Sequence, residues 1–396
     1  MTARPPALRH DEAMTPLTSP QQSLWSRLSD TQRAITLALL SHGRLSRPEL
    51  MSIVGISSGS VTRLTAPMVE AGLLSTSTEQ VAGTGRPQSP LEVRAEAESL
   101  VGVTITGEDL TAVLTDLRLQ VLATTRRSLP SHSPKIVVAH LSDAVNELSS
   151  QHTSAQPTAL AVTLGGTSRD GRIVDQAVFL GWHGVHLADM IEAETGLPTT
   201  VGNDVAAMTQ QEAWFGAGRE ADRFTLVTVG SGVGHGLAIS HDVISTADAD
   251  LGLTGLMPIP DDSHPPLTHP AMDCLTDGAL EAEWLKLGLP PTDAASIVSL
   301  ARHGDPHAVA LCAAFARRIG RLIAMSAAFT LPQVIVVAGE RASIASLFEE
   351  QVMTGIAQLR HAAAAPIPVI VREHNRSDWA RGAAALAVRA RVQGEL

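Results

Sequence analysis

Apolar residues recur at helical spacing in the N-terminal part of the chain, which predicts two short helices followed by a third. The first helix spans about Asp30–Ser41, and Asp30 is the residue expected to cap it. The second begins at Ser46, because its spacing from Glu49 is that of a capping box. Gly55 is expected to break this helix, so that the next segment can cross it.

The third predicted helix runs from Ser58 to Ala71, with Ser57 as its cap and Val61, Leu64 and Met68 on its inner face. Its other face carries hydroxyl groups and a guanidinium group near the helix N-terminus. Such groups are suited to phosphates and base edges in the major groove of DNA. We therefore predict a helix-turn-helix that contacts DNA through Ser57, Ser58, Ser60, Thr62 and Arg63. The alternative is an ordinary helix pair in an all-helical core.

The segment after the third helix is predicted to form a two-stranded wing with residues 83–87 at its tip. Arg86 lies there between a glycine and a proline, on a loop expected to be exposed. We predict that Arg86 enters a minor groove or contacts a phosphate, because the helix-turn-helix is its neighbour. A simple surface turn is the alternative.

From about residue 99 the pattern changes to alternating strands and helices. A three-stranded meander, a helix and further strands are followed by a new hairpin at about residue 223, where the order repeats. Two copies of one α/β unit, joined near Gly202, predict two lobes around a cleft. The predicted divisions are a disordered tail at 1–20, a winged helix at 21–98, and a body at 99–396 whose lobes span about 99–202 with the C-terminal helix, and 203–379.

Charge argues against a protein that coats nucleic acid, because the 396-residue chain has a net charge of −11. Residues 21–95 nevertheless carry seven arginines against five acidic residues, which fits a local DNA-binding module on an acidic body. No apolar run reaches membrane-spanning length and the N-terminus has no apolar signal core, so we predict a cytoplasmic protein without membrane contact.

Beyond residue 20 the chain resembles the ROK family (repressors, open reading frames and sugar kinases), in its winged-helix regulator branch. The segments that carry the resemblance are the helix-turn-helix with its Gly-Arg-Pro wing, VTLGGTSRDGRIV, FLGWHGVHLADMIEAETGLP, VGNDVAAMTQQEAWFGAG, VTVGSGVGHGLAI and VIVVAG. The resemblance implies an α/β fold of the actin-like, hexokinase-like kind with two lobes. It also implies a sugar in the cleft between the lobes, frequent dimerisation and, in the kinase branch, phosphorylation of that sugar with ATP.

The resemblance also assigns roles to particular residues. Asn203 and Asp204 match the sugar-binding pair, and Asp204 holds the position of the general base of the kinases. The same two residues are placed to cap the helix that follows, which is the alternative role. Gly165 and Gly166 match a loop that lines the sugar pocket. The glycines of residues 230–234 match a phosphate-holding loop, although a tight hairpin turn accounts for them about as well.

Several positions depart from the kinase pattern. In the first phosphate loop Thr104 replaces an aspartate and Glu108 a threonine, so a carboxylate that supports Mg²⁺ is lost and an acid faces the phosphates. Leu253 replaces a sugar-binding glutamate, Leu256 a histidine that binds sugar and zinc, and Phe179 an asparagine. The predicted effector pocket is therefore more apolar than a kinase pocket, and it consists of Gly165, Gly166, Phe179, Asn203 and Asp204.

The cysteine-rich zinc loop of the family is absent. His264, His269 and Cys274 are spaced five apart in its place and are weak candidates for a zinc site. A Pro-rich loop with incidental histidines accounts for them better, because the spacing matches no short-range ligand pattern. We therefore predict no metal and no cofactor.

Together these features predict a DNA-binding transcriptional regulator, a repressor by the family's usual behaviour, with a degenerate body that is not an enzyme. The predicted partners are an operator in double-stranded DNA, a sugar or sugar derivative as effector, and a second copy of the chain. Two alternatives stay open: an active ATP-dependent sugar kinase, and a dimeric DNA-binding protein without an effector.

Overall fold

The computed structural model describes residues 24–76, 89–168, 170–246 and 248–396. Within these ranges an N-terminal helical domain is followed by an α/β body. None of the described helices is both long and apolar enough to cross a lipid bilayer.

The N-terminal domain consists of three helices and a two-stranded antiparallel sheet. Its elements are α1 (Asp30–His42), α2 (Arg47–Val54), α3 (Ser58–Glu70), β1 (Leu74–Thr76) and β2 (Leu91–Val93). The helix-turn-helix and the paired base of a wing are thus present as predicted.

Side-chain caps determine where these helices begin. Ser29, and not the predicted Asp30, caps α1, because its hydroxyl accepts the Gln32 N–H and the Gln32 side chain accepts the Ser29 N–H. Ser46 begins α2 with the predicted capping box. Gly55 ends α2 in the left-handed conformation, with φ of 72°.

The inner faces of the three helices form one small core. Leu50 of α2 and Met68 of α3 are fully buried within it. Leu64, which the spacing places on the inner face, is only half-buried. Thr65 takes the buried position instead, and its hydroxyl donates to the Val61 carbonyl at 2.8 Å, so the polar side chain is satisfied inside the core.

The first α/β unit of the body is a five-stranded sheet in the order β5-β4-β3-β6-β9. Strands β3, β4 and β5 form an antiparallel meander, and β6 and β9 continue the sheet in parallel. A separate hairpin pairs β7 with β8. The elements are β3 (Ser99–Ile105), β4 (Asp109–Asp116), β5 (Val121–Ser128), α4 (Pro134–Gln151), β6 (Pro157–Leu164), β7 (Val174–Ala177), β8 (Trp182–Val185), α5 (Leu187–Thr195) and β9 (Thr199–Asn203).

The second unit repeats this topology. Its sheet has the order β12-β11-β10-β15-β16, with an antiparallel meander followed by two parallel strands, and β13 and β14 form a separate hairpin. The elements are α6 (Asp204–Phe215), β10 (Arg223–Val229), β11 (Val233–Ile239), β12 (Asp242–Val243), β13 (Pro258–Pro260), β14 (Thr268–Pro270), α7 (Asp277–Lys286), α8 (Ala294–Arg302), α9 (Pro306–Thr330), β15 (Val334–Ala338), α10 (Ser343–Leu347), α11 (Glu349–Leu359) and β16 (Val369–Val371). The last helix, α12 (Arg376–Gln393), returns to the first unit. The predicted duplication is therefore confirmed.

Helices α6 and α12 pack against each other, and α12 covers the first sheet. Close approach requires small residues: Gly102 of β3 lies against the backbone of α12 at Ala380 and Ala384, and Gly382 of α12 lies against the backbone of α6 at Met208. Helix α1 of the N-terminal domain rests on both α6 and α12. The N-terminal domain is thus seated on the two helices that join the units of the body.

Candidate DNA-binding surface and effector cleft

The outer face of α3 carries the predicted DNA-contacting residues. Ser57 caps the helix by accepting the Ser60 N–H at 3.3 Å, so one predicted residue holds the N-terminal turn that presents the others. Thr62 and Arg63 are exposed on the same face, together with Ser58. No hydrogen bond or ion pair engages the Arg63 guanidinium within the described part of the chain. The face therefore offers hydroxyl groups and one cation to an external partner.

The tip of the predicted wing, including Arg86, lies outside the described residues. Its base is described: β1 and β2 pair from Leu74 with Val93 to Thr76 with Leu91.

A second region is the joint between the N-terminal domain and the body. Arg219, in the loop after α6, donates to the Ser41 carbonyl at 2.9 Å and so satisfies the C-terminal end of α1. Beside it, the rings of His42 and His241 meet edge to face with centroids 4.3 Å apart. Burial and the neighbouring His241 and Arg219 lower the pKa of His42, which favours the neutral form of its imidazole beside the charged Arg219.

The other end of the joint contains a buried ion pair. Arg391 of α12 and Glu98 lie 2.9 Å apart, and both side chains are less than a tenth exposed. The same carboxylate accepts the Trp25 indole N–H and the Thr158 hydroxyl. From α1, Arg33 donates to the Val392 carbonyl at 2.6 Å. Charged groups thus tie both ends of α1, the helix on which the DNA-binding domain rests, to the body.

Asp204 begins α6, directly after β9, where the chain passes from the first unit to the second. Its carboxylate accepts the Val205 N–H at 2.8 Å. Burial raises the pKa of Asp204 to about 6, and the nearby charges of Glu340 and Asp250 act in the same direction. A carboxyl group with this pKa is suited to exchanging or sharing a proton with a hydroxyl group of a ligand.

Asn203 makes hydrogen bonds within the chain through both ends of its side chain. Its carbonyl oxygen accepts the Ala206 N–H at 3.0 Å and caps α6, and its amide donates to the Gly166 carbonyl at 3.0 Å. The capping role is thus observed, and the bond to Gly166 fixes the loop that begins at Gly165. A ligand role for Asn203 stays a prediction.

Phe179 lies over this loop. A side-chain carbon at Gly165 would sit 3.7 Å from both the Phe179 ring and the Asp204 carboxylate, so the ring, the glycine and the acid line one space. The Phe179 side chain is 63% exposed. Leu253 and Leu256, which replace polar sugar-binding positions, are 50% and 63% exposed.

The glycine loop at residues 230–232 is the turn of the β10–β11 hairpin. The carboxylate of Glu340, two residues after β15, lies against Gly230, so that a side chain at Gly230 would require Glu340 to move. The neighbouring Arg341 pairs with Asp277 at 2.6 Å, which holds this segment on the loop. A carboxylate of the chain therefore lies against the glycine loop that the family resemblance assigns to phosphate binding, and like charges repel.

Ion pairs hold the segment that stands in place of the family's zinc loop. Arg321 of α9 donates to the Pro260 carbonyl at 2.8 Å and pairs with Asp262, which also binds Arg317 at 2.9 Å. The buried Arg321 thereby anchors the segment to the helix core.

The three weak zinc candidates have separate surroundings. His269 faces Asp261 at 3.4 Å, and Cys274 is buried, which raises the pKa of its thiol to about 11. His264 is exposed. Across the described ranges, no group of three His, Cys, Asp or Glu side chains is placed to hold a metal ion.

Sequence reasoning missed Glu340 and the joint residues Arg219, Glu98 and Arg391. The signal for Glu340 was present, since an acid follows the glycine at the end of a predicted strand. The joint residues had no comparable signal, because their partners are distant in sequence.

Two family profiles match this architecture. The profile described as winged helix-turn-helix DNA-binding matches residues 28–75, and that of the ROK family matches residues 100–390. The DNA-binding transcriptional dual regulator NagC of Escherichia coli is 24% identical over 314 residues, which cover 76% of this chain and 77% of the relative. A glucokinase of Halalkalibacterium halodurans is 26% identical over 225 residues, 52% of this chain and 68% of the relative.

Among solved structures, a ROK family transcriptional regulator described as a homologue of the E. coli Mlc protein shares the fold. Its TM-score is 0.74 at 20% identity, with 91% of this chain and 95% of that chain covered. Fold and surface together define a DNA-binding winged-helix protein with a two-lobed body of the sugar-kinase type. The chain belongs to the ROK family, and it is a DNA-binding transcriptional regulator within it.

Proposed function

We propose that the protein represses transcription from an operator as a homodimer, and that a small ligand in the cleft releases it. The observation that carries the proposal is the outer face of α3, which offers Thr62 and Arg63 on a domain tied to the body at both ends of α1. If this connection through α1 is rigid, a conformational change in the body also moves α3, the helix that presents the DNA-contacting residues. In a dimer, two such helices would enter successive major grooves roughly 34 Å apart.

The proposed effector is a sugar derivative with an apolar portion. Asp204 is available for one hydroxyl group, whereas Phe179, Leu253 and Leu256 offer apolar surface where kinases have polar groups. Sugar hydroxyl groups buried against such surface without partners would cost free energy, so an apolar substituent suits these positions better. Relatives named as an N-acetylglucosamine repressor and a putative xylose repressor support the choice of a sugar-derived ligand.

We further propose that the body does not phosphorylate sugars. Glu340 lies against Gly230, and Glu108 and Thr104 alter the first phosphate loop, so a nucleotide triphosphate would meet carboxylates and lack a partner for Mg²⁺. The relatives include glucokinases, and ATP turnover with a panel of hexoses is therefore the direct test. Phosphorylation that depends on Asp204 would contradict this part of the proposal.

The first experiment is titration of the full-length protein with DNA from its own upstream region, followed by fluorescence anisotropy at two salt concentrations. Binding that survives excess unrelated DNA and weakens with salt supports an operator, because phosphate contacts release counterions. Binding equal to that of unrelated DNA would contradict an operator in this region. Sugars that weaken the measured affinity are then effectors, and a thermal shift confirms that they bind.

A further inference from the structure

The outward face of α3 has its smallest residues at its centre. Gly59 and Ala66 are both exposed, and they are nearly two helical turns apart, so one lies above the other along the helix. The buried residues Val61 and Met68 lie on the opposite face. A side-chain carbon at Gly59 would meet no other part of the described chain within 4 Å. The backbone of α3 can therefore come close to a surface that it faces.

Thr62 and Arg63 lie on either side of this line, and both are exposed. The neighbouring Thr65 is buried, and its hydroxyl group donates to a backbone carbonyl inside the core. Thr62 is exposed instead, which leaves its hydroxyl and γ-methyl groups available to a partner. Arg63 is the one basic residue between Ser58 and Glu70. The outward face thus combines one long cationic side chain with short side chains that end in methyl groups.

The chemistry of the major groove determines what such a face can recognise. Guanine presents two acceptors there, which suit the Arg63 guanidinium. Adenine is recognised at two atoms by Asn or Gln, and α3 contains neither residue type from Ser58 to Glu70. The C5-methyl group of thymine is an apolar group on the groove floor, and apolar side-chain groups contact it. Ala66 and Thr62 therefore give α3 a means of recognising an A·T pair through the methyl group of its thymine.

Glu70 limits the part of α3 that can lie in the groove. It is exposed one turn beyond Ala66, and its carboxylate would be repelled by the phosphates. The N-terminal turns instead present the positive end of the helix dipole, which attracts phosphates. An approach through these turns places Thr62, Arg63 and Ala66 over the base edges, as is usual for recognition helices.

We infer that Ala66 and Thr62 are specificity-determining residues, which recognise thymine methyl groups beside a guanine bound by Arg63. Side chains three positions apart on a helix are about 5–6 Å apart, and successive bases are about 3.4 Å apart along a strand. A thymine is therefore expected within about two base pairs of the guanine. The inference rests on the operator binding proposed above, and it does not depend on repression, on the effector or on dimerisation.

The first experiment selects preferred sites from a pool of random double-stranded DNA with the full-length protein. The enriched sequence is expected to contain a guanine with a thymine within about two base pairs. Enrichment of sites in which no thymine lies near the guanine would overturn the inference and leave operator binding intact. A pool in which no sequence is enriched would contradict both.

The second experiment removes single methyl groups from the selected site. Each thymine is replaced in turn by deoxyuridine, which lacks only the C5-methyl group, and affinity is measured by fluorescence anisotropy. The wild type is expected to lose about fourfold in affinity at a contacted thymine, as for one methyl group returned to water. Ala66→Gly and Thr62→Ser each remove one methyl group from the protein. Each variant is expected to bind thymine and deoxyuridine equally at one position and still to distinguish them at the other.

Ala139→Gly is the matched control for Ala66→Gly, because Ala139 is an exposed alanine inside α4 of the body and the substitution has a similar cost in helix stability. The control should distinguish thymine from deoxyuridine as the wild type does. Equal binding of both bases by the wild type at every position would overturn the inference. Discrimination that persists in both Ala66→Gly and Thr62→Ser would also overturn it, because another part of the chain would then contact the methyl groups. Thr62→Ser keeps the hydroxyl group, so the test does not depend on tolerance of a further glycine in α3.

Discussion

The N-terminal turns of α3 and α6 stand at the two places where this protein would meet its partners. Both begin with a polar cap, Ser57 in α3 and Asn203 in α6. In α3 the residues after the cap are exposed, and Arg63 is available to an external phosphate or base. In α6 the side chain of the cap makes two hydrogen bonds within the chain. The next residue, Asp204, has a carboxyl group whose pKa is raised by burial.

The electrostatic environments of the two turns are opposite. A helix N-terminus favours negative charge, which suits DNA phosphates at α3. At α6 the same favourable end is offset first by burial of Asp204 and then by the charges of Glu340 and Asp250, all of which oppose its ionisation. One turn is therefore suited to an external anion, whereas the other is suited to a neutral ligand that shares a proton.

A polar residue at the start of a helix therefore has two possible roles, binding a partner or supporting the fold, which local sequence does not separate. Both caps are engaged within the chain, Ser57 with the N–H and hydroxyl of Ser60, and Asn203 with Ala206 and Gly166, so the difference lies in the residues that follow them. Substitutions in the two turns should accordingly change different properties: DNA affinity for α3, and stability with its pH dependence for α6.

The largest effect is expected for Asp204→Asn on stability. The pKa of about 6, against an ordinary value of 3.8, means that ionisation of Asp204 destabilises the fold by up to about 3 kcal/mol at neutral pH. That cost is absent below pH 3.8, develops as the pH rises towards 6 and is constant above. Urea denaturation at pH values from 4 to 7.5 should show that the free energy of unfolding of the variant increases relative to that of the wild type as the pH rises.

Asp293→Asn provides a control of opposite sign. Asp293 caps α8, and hydrogen bonds from Ser296 lower its pKa, so that the ionised form is the stable one. The control should lose stability relative to the wild type as the pH rises through the carboxyl range. If Asp204→Asn and the wild type keep a constant difference at every pH, Asp204 is not desolvated as described.

The next effect is expected for Arg63→Ala on DNA binding. Loss of one base or phosphate contact costs about 1–3 kcal/mol, or roughly 10- to 100-fold in affinity. Anisotropy with operator DNA measures it, and Arg302→Ala, which removes an exposed arginine of α8 in the body, is the control for net charge. Equal losses in both variants would mean that charge alone, and not the α3 face, determines affinity.

Local features of the fold were predictable because their causes are local. The capping box at Ser46, the break at Gly55 and the cap at Ser57 depend on residues within a few positions. The duplication was visible as a repeated order of strands and helices. The cap of α1 was assigned one residue too late, because Ser29 and Asp30 are both good caps and only the Gln32 bond distinguishes them.

The candidate site was predictable only where the family resemblance reached it. Gly230 and Glu340 are far apart in sequence and meet because β10 and β15 are neighbours in the second sheet. Arg219 and Ser41 meet because α1 is seated on the body, 178 positions apart in sequence. Contacts of this kind depend on tertiary packing, which the periodicity of a segment does not encode.

A smaller effect is expected for Asn203→Ala. The variant loses the cap of α6 and the bond to Gly166, which together should cost about 1–2 kcal/mol of stability. Asn375→Ala is the matched control, because Asn375 caps α12 through the Ser377 N–H on an exposed turn and should cost less. Thermal unfolding compares the two. An effect no larger than that of Asn375→Ala would mean that the bond to the Gly166 loop contributes nothing, and that the loop is free to serve a ligand.

The smallest effect on stability is expected for Ser57→Ala, about 1 kcal/mol, because an exposed cap is partly replaced by water. Ser46→Ala removes the equivalent cap of α2 and should cost about the same. The two variants should differ in operator affinity, measured by anisotropy below their unfolding temperatures. Ser57 holds the turn that presents Ser58 and Thr62, so its loss should weaken binding several-fold more than the loss of Ser46. Equal affinities would assign Ser57 a purely structural role and move the DNA contacts further along α3, towards Arg63.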